Sequence, residues 1–289
     1  MAEKPVLAVI GGSGLYDMAG LADTQAVEMD TPFGKPSAPI ITGVLDGFPV
    51  AFLARHGIGH HLSPTEVNYR ANIYALKALG VERILSISAC GSLKAEYAPG
   101  EIVIPDQLFD FTRRRVSSFF GEGLVVHAGS ADPFCQKLSA DLLTAVQQAG
   151  GTVHAGGTYI TIEGPRFSTK AESHLFRAWG ISIIGMTASP EAFLAREAEI
   201  CYATMAHVTD YDVWHVSEKP VTVEIVIQTL NKNTQIAQQA VRKLLPLLQP
   251  ARGCPCESAL ADAIITRRER IPPETRQKLD LLVKKYLAG

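Results

Sequence analysis

The stretch Gly185–Trp214, GMTASPEAFLAREAEICYATMAHVTDYDVW, decides the reading of this chain. It opens on a small polar pair, Met186-Thr187, directly after an apolar run. A charged amphipathic segment follows over Pro190–Glu199. An apolar strand over Cys201–Val208 then runs straight into Thr209-Asp210-Tyr211-Asp212. Strand, helix and strand in succession argue for an α/β sheet. Two carboxylates at i, i+2 behind a buried strand sit where such sheets bind ligands, at the strands' carboxyl ends.

Outward from this stretch the same pattern repeats. Val6–Ile10 is a continuous apolar strand that breaks into Gly11-Gly12-Ser13-Gly14. Those glycines suit either a plain tight turn or a backbone that approaches an anion, with Ser13 as the hydroxyl. No Gly-Lys-Ser/Thr follows, so this is not a P-loop, and the dinucleotide fingerprint lacks its third glycine. Ile40–Val44 and Val50–Leu53 read as a hairpin around Asp46-Gly47. The second strand enters Ala54-Arg55-His56-Gly57. A guanidinium that forks onto two oxygens, with a histidine donor beside it, suits a dianion; a surface arginine and a structural histidine remain the alternative. Arg83–Ser88 is a further strand, ending in Ser88-Ala89-Cys90-Gly91-Ser92. Three strand ends thus carry groups suited to one phosphate.

The remaining elements are coarser. Helices are expected over Pro64–Gly80, Asp132–Gly150 and Ala171–Gly180, and one or two over Val221–Leu248. Strands are expected over Glu101–Asp110, Gly156–Ile162 and Ile181–Met186. Val223, Val226 and Ile227 fall at helical spacing and suit either an apolar pocket or the core. Phe111–Val126 is a long polar and aromatic excursion, and its Arg113-Arg114-Arg115 run reads as a solvated face. Phe167, behind the Gly164-Pro165 corner, is either a core residue or a ring that stacks on a flat ligand. The tail Cys254–Gly289 is charged and helical, with Pro272-Pro273 between two helices. It has too small a core to stand alone, which makes 1–250 the main domain and 251–289 an extension packed on it or on a neighbour.

Composition excludes several classes. Of 289 residues, 27 are Lys or Arg and 29 are Asp or Glu, so no basic field points to nucleic acid or an anionic membrane. No run approaches the about 18 apolar residues of a membrane span, and the N-terminal run is too short for a signal peptide. A cytoplasmic protein is expected. Cys90, Cys135 and Cys201 are scattered in apolar context and read as buried free thiols. Cys254-Pro-Cys256 would need two more ligands to hold zinc, and none lies nearby in sequence, so two semi-exposed thiols in a turn or a strained disulfide are the readings left open. His56, His60 and His61 likewise lack a partner at metal-site spacing. No metal is expected.

Taken in order, IGGSGL at 10–15, DTPFG at 30–34, ARHG at 54–57, ACGSL at 89–93, IEGPRFS at 162–168 and TDYD at 209–212 resemble the methylthioadenosine phosphorylases of the purine nucleoside phosphorylase superfamily. The resemblance covers roughly residues 5–245. It implies a single α/β domain, with a mixed, partly barrel-like sheet flanked by helices, in a trimer or dimer of trimers. It implies phosphorolysis of 5′-methylthioadenosine, with inorganic phosphate as co-substrate and no metal or organic cofactor. By this resemblance Ser13, Arg55, His56, Ser88, Ala89 and Thr187 hold phosphate. Met186 lies against the ribose and Phe167 against the base. Asp210 is the general acid at purine N7, and Asp212 reads the 6-amino edge. Ser168 and Val223 match positions tied to substrate preference, and His127 reaches the 5′ substituent from a neighbouring subunit. The family often has threonine at positions 13 and 88; serine keeps the hydroxyl. The Cys-x-Cys tail resembles bacterial and archaeal relatives, in some of which that pair is a disulfide. A broader purine nucleoside phosphorylase, a hydrolytic nucleosidase and a non-catalytic nucleoside-binding protein are the competing readings.

Overall fold

The computed structural model describes residues 3–12, 18–215 and 223–287, with backbone only over 223–233. Ser13 therefore lies outside the described residues. So do the side chains of Val223, Val226 and Ile227.

The strands are β1 (Leu7–Gly11), β2 (Leu21–Val27), β3 (Ile40–Leu45), β4 (Phe48–Ala54), β5 (Arg83–Ser92), β6 (Ile102–Ile104), β7 (Gln107–Phe111), β8 (Val153–Ala155), β9 (Thr158–Ile162), β10 (Ile183–Gly185) and β11 (Cys201–Asp210). The helices are α1 (Tyr69–Ala78), α2 (Gln136–Gln148), α3 (Lys170–Ala178), α4 (Ala188–Glu197), α5 (Val223–Leu244), α6 (Pro273–Lys278) and α7 (Asp280–Leu287). Among the described residues the strands form one mixed sheet, ordered β2-β3-β4-β1-β5-β10-β9-β7. It forks at β5, which also pairs with β11, and β11 leads on to β6 and β8.

The fork has a simple origin. β5 is ten residues long, whereas β1 covers only its first part, with Ile10 beside Ser86. Beyond that point β10 takes β1's place, antiparallel, with Ile184 beside Gly91 and Ile183 beside Ser92. On its other edge β5 keeps β11 as a parallel partner from Arg83–Cys201 to Gly91–Asp210. β1, β5 and most of β11 are buried on both faces, which explains why they read as unbroken apolar runs. The edge strand β2, LADTQAV, is exposed along its middle and has no such signal, so the sequence does not announce it.

Helices cover both faces. α1 and α4 share one core with Leu53, Tyr202 and the tail residues Leu260, Ile271, Leu279, Leu282 and Val283. Leu138, Leu142 and Val146 of α2 and Ala237, Ala240 and Val241 of α5 share the other with Val9, Leu85 and Met205. Element starts are sharper than the apolar period suggests. α1 begins at Tyr69 rather than Pro64, because the Asn68 side chain accepts the Ala71 N–H and caps it there. α3 begins at Lys170 behind a reciprocal Thr169–Glu172 capping box.

Two surface readings are corrected. Pro190–Glu199 is not an exposed amphipathic segment, since nearly every residue from Thr187 to Ile200 is buried. Each of its acids is claimed by a distant group: Glu191 by Arg55, Glu197 by Ser118 and the Phe119 N–H, and Glu199 by Lys285, Tyr286 and the Leu260 N–H. Arg115 is not a solvated arginine either, with a side chain only 1% exposed. Arg113 and Arg114 are exposed, as expected. No helix among the described residues is long and apolar enough to cross a membrane.

Candidate active site

The carboxyl ends of β1, β4, β5 and β11 point the same way, because those strands are mutually parallel. The Arg55 N–H donates to Gly11 O at 3.0 Å, which joins the ends of β4 and β1. The Arg55 side chain turns inward. Its Nε and Nη2 fork onto Glu191 at 2.8 Å each, Nη2 also reaches Ser86 Oγ at 2.7 Å, and Nη1 donates to Ile87 O at 3.2 Å. Burial alone would lower its pKa; the Glu191 charge and hydrogen bonds outweigh burial and raise it, so the guanidinium stays charged. The bidentate fork expected for an anion is therefore spent on Glu191. One Nη1 hydrogen remains for a ligand.

His56, half-buried, follows at once. Its Nδ1 lies 2.9 Å from Leu62 O, and a carbonyl accepts only, so Nδ1 carries the proton. Burial first, and then the Arg55 charge, push its pKa down to about 4. Near neutral pH the ring is neutral and Nε2 bears a lone pair. Nε2 can therefore accept a hydrogen bond.

Ser88 and Ala89 are two of the few β5 positions with solvent access. β10 runs back along this part of β5, which carries Met186 and Thr187 toward them. Tyr159, fully buried on β9, ties the two sides together. Its hydroxyl lies 3.4 Å from Ser88 Oγ and also meets the Thr187 hydroxyl. Gly185 has to be glycine here, since a Cβ would fall 1.9 Å from Tyr159 Oη. Gly185→Ala is expected to destabilise the protein by about 1–3 kcal/mol and to raise the KM for phosphate, because Tyr159 must move from between Ser88 and Thr187. A melting temperature and phosphate KM both at wild-type values would refute this.

Asp210 ends β11. Its Oδ1 accepts the Asp212 N–H at 2.8 Å, and its Oδ2 lies 2.7 Å from Thr209 Oγ1. Thr209 Oγ1 is also 3.2 Å from Cys90 O. One hydroxyl has one hydrogen. If it goes to the Cys90 carbonyl, the short contact to Asp210 needs a proton on the carboxyl. Burial, with the Asp212 charge added, raises the Asp210 pKa against the opposing hydrogen bonds from Thr209 and Asp212. Asp212, in the left-handed region at φ 50°, accepts from Ser168 Oγ at 2.6 Å through Oδ1. Its Oδ2 is buried with no hydrogen-bond partner among the described residues. An orphaned buried acceptor costs about 1–3 kcal/mol, so this atom is prepared for a donor on a ligand.

Phe167 is 41% exposed, which removes the core alternative and leaves its ring available. Met186 is half-buried, with Sδ 2.6 Å from where a Cβ on Gly164 would lie. His127 is exposed and held through its N–H to Ala263 O, and among the described residues no hydrogen bond joins it to these groups.

The sequence reading missed the framework behind the site. Glu191 and Tyr159 are two such residues. Arg115 is the third: it donates to Met186 O, Ser189 O and Glu163 O at 2.6–2.7 Å and to Tyr69 Oη at 3.2 Å. It thereby braces the loop before Phe167 against the turn that carries Thr187.

The comparisons with known proteins agree with one another. A family model described as the phosphorylase superfamily matches residues 6–246. S-methyl-5′-thioadenosine phosphorylase of Geobacter sulfurreducens is 55% identical over 285 residues, 98% of this chain and 100% of that protein. The crystal structure of a methylthioadenosine phosphorylase from an antarctic soil metagenomic library superposes with a TM-score of 0.92 at 49% identity, covering 96% of this chain and 98% of that one. A mutant of adenosine/methylthioadenosine phosphorylase from Schistosoma mansoni, in complex with methylthioadenosine, superposes at 0.80 with 36% identity over 84% of this chain and 91% of that one. The family match runs from β1 through α5 without a break, and the chain belongs to the phosphorylase superfamily.

Proposed function

We propose that this chain phosphorolyses S-methyl-5′-thioadenosine to adenine and 5-methylthioribose 1-phosphate, a purine and methionine salvage reaction. The observation that carries the purine side is the acid pair at the end of β11. Burial raises the pKa of Asp210, the direction an acid needs, and Asp212 keeps one buried oxygen without a partner among the described residues.

The chemistry follows from charge. Phosphate attacks C1′ as the C–N bond to the base breaks. The sugar becomes cationic and is stabilised by the phosphate beside it. The purine becomes anionic, and Asp210 donates a proton at N7. Asp212 Oδ2 accepts from a 6-amino group, whereas a 6-oxo group would set a lone pair against it. Arg55, His56, Ser88, Ala89 and Thr187, with Ser13, are the proposed phosphate ligands. Met186 packs on the ribose and Phe167 on the base. Ser168, through its bond to Asp212, shapes substrate preference on the base side, Val223, Val226 and Ile227 shape the preference for the 5′ substituent, and His127 is supplied by another copy in a homotrimer or dimer of trimers. Both developing charges are met by protein groups and phosphate, so the reaction asks for no metal or organic cofactor. Five free thiols support a reducing, cytoplasmic setting.

Adenine release from methylthioadenosine should require phosphate, and inosine should react far more slowly. Equal release without phosphate would point to a hydrolase; equal turnover of inosine would remove Asp212 as the reader of the 6-amino group. Adenosine is the second substrate to test, because the Schistosoma mansoni relative is described as an adenosine/methylthioadenosine phosphorylase. One methyl-sized apolar contact discriminates by only about 1–3 kcal/mol.

A further inference from the structure

Four cysteines from three separate stretches of chain meet on the far side of β11 from the acid pair. The Sγ atoms of Cys135, Cys201, Cys254 and Cys256 all lie within 4.8 Å of one another, and those of Cys201 and Cys254 are 3.3 Å apart. All four are free thiols. Sulfurs at about 2.3 Å around a tetrahedral zinc are about 3.8 Å apart, inside the range this cluster spans. The sequence reading found only Cys254-Pro-Cys256 and lacked two further ligands. The fold supplies them, because β11 starts beside the turn into α2.

Each thiol is carried on backbone anchored by other groups. The Cys201 N–H donates to Glu82 O at 3.0 Å, where β11 begins. The Cys135 N–H donates to Tyr202 O at 2.8 Å, and Cys135 stands at the N-cap of α2. Arg83 holds Gln249 O and Arg252 holds Glu199 O, both at 2.6 Å, so the chain leading to Cys254 is pinned at two points. Cys135, Cys201 and Cys256 are buried and Cys254 is half-buried. A site of this kind is assembled before any ion arrives.

The surroundings suit thiolates. Four thiolates on a divalent cation carry two net negative charges. Arg196 donates to Cys256 Sγ at 3.7 Å, and Arg83 and Arg252 line the same small cavity as Cys135 and Cys201. Cys135 itself stands at the N-cap, the positive end of the 13-residue helix α2. Donors to the ligand sulfurs are the outer contacts that hold metal-bound thiolates in place.

We propose that Cys135, Cys201, Cys254 and Cys256 form a structural tetrathiolate site for a thiophilic divalent cation, zinc above all, that clamps residues 250–256 onto the start of β11 and the head of α2. Binding exchanges four S–H protons for one ion and moves no electrons. Turning the same thiols into two disulfides would remove four electrons and need an external oxidant. The site is separate from the acid pair and takes no part in phosphorolysis.

The test is metal analysis of the full-length protein purified under reducing conditions without chelator. About one zinc per chain is expected after gel filtration, bound tightly enough to survive it. Cobalt(II) added to chelator-treated, reduced protein should give thiolate-to-cobalt charge transfer and the strong d–d bands of a tetrahedral site. Cys254→Ser, in the half-buried loop, should weaken the charge-transfer band, lose zinc and lower the melting temperature while leaving phosphate-dependent turnover at low temperature unchanged. Reduced protein that holds no zinc and takes up no cobalt would overturn the proposal. So would intact mass after alkylation in the lysate, if it shows the chain lighter by two or four hydrogens, the signature of disulfides. The cobalt spectrum of the wild-type chain decides the question even if the variant folds poorly.

Discussion

Asp210→Asn is expected to lower kcat for adenine release by about 10²–10⁴-fold, with methylthioadenosine still bound near its wild-type affinity. Asparagine copies the protonated acid. Its Oδ1 still accepts the Asp212 N–H, and its Nδ2 donates to Thr209 Oγ1 where the carboxyl proton would have done. The hydrogen-bond pattern survives and only the transferable proton is lost. The fold should hold, and the effect should sit in kcat rather than KM. The same reasoning sets the pH dependence. Asp210 acts in its protonated form, so kcat/KM should fall as pH rises through its pKa, which burial places above the ordinary 3.8. That limb should be missing from the residual activity of Asp210→Asn. Wild-type turnover in the variant, or an unchanged pH limb, would end the acid role.

Glu191→Ala should destabilise the protein by about 3–5 kcal/mol, the largest stability effect expected of a single side chain here. Arg55 and Glu191 are 2% and 0% exposed, so the pair is almost wholly shielded from bulk water. Removing the carboxylate leaves a buried guanidinium with no counter-charge and deprives the Tyr202 hydroxyl of its acceptor at 2.8 Å. Replacing both partners by methionine removes both charges and keeps much of the volume. Arg55→Met/Glu191→Met should therefore recover most of the lost stability, as apolar replacements of buried ion pairs do. It should not recover phosphate saturation, since the one Nη1 hydrogen left for the anion is gone as well. Denaturant unfolding separates the first effect, and phosphate KM at fixed nucleoside separates the second. A double variant with wild-type phosphate KM would make Arg55 a core residue only.

The two results together test a division of labour within Gly185–Trp214. In the proposed site Thr187 and Glu191 would serve the phosphate side, Glu191 by spending Arg55's fork and fixing its position, and Asp210 and Asp212 would serve the base. Arg115 holds the turn around Thr187 through the carbonyls of Met186 and Ser189 and ties it to Glu163 O, ahead of Phe167. A site built this way depends on a frame of buried charges as much as on the groups that meet the ligand.

Much of this was legible in the chain itself. The unbroken apolar runs of β1, β5 and β11 reflect strands buried on both faces, and a strand's period carries that information locally. The glycines, hydroxyls and acids behind those runs are contiguous with them, so their gathering at one edge of the sheet follows from parallel strands. Asp210 and Asp212 are two residues apart and share a strand end whatever the rest of the fold does. Other features belong to the tertiary structure alone. Three consecutive arginines are equivalent in one dimension, and only packing against Tyr69 and three carbonyls singles out Arg115. Glu191, Glu197 and Glu199 look like the wet face of a helix until their partners arrive from residues 55, 118 and 285. The proton on His56 Nδ1 depends on one carbonyl, Leu62 O, that folding brings opposite it. The four cysteines span positions 135 to 256, and no spacing rule joins them. The reason is common to all of these cases. Burial on a strand or helix is written in its own period, whereas the partner of a buried charge or thiol is set by coordinates that only the closed sheet and its packed helices define.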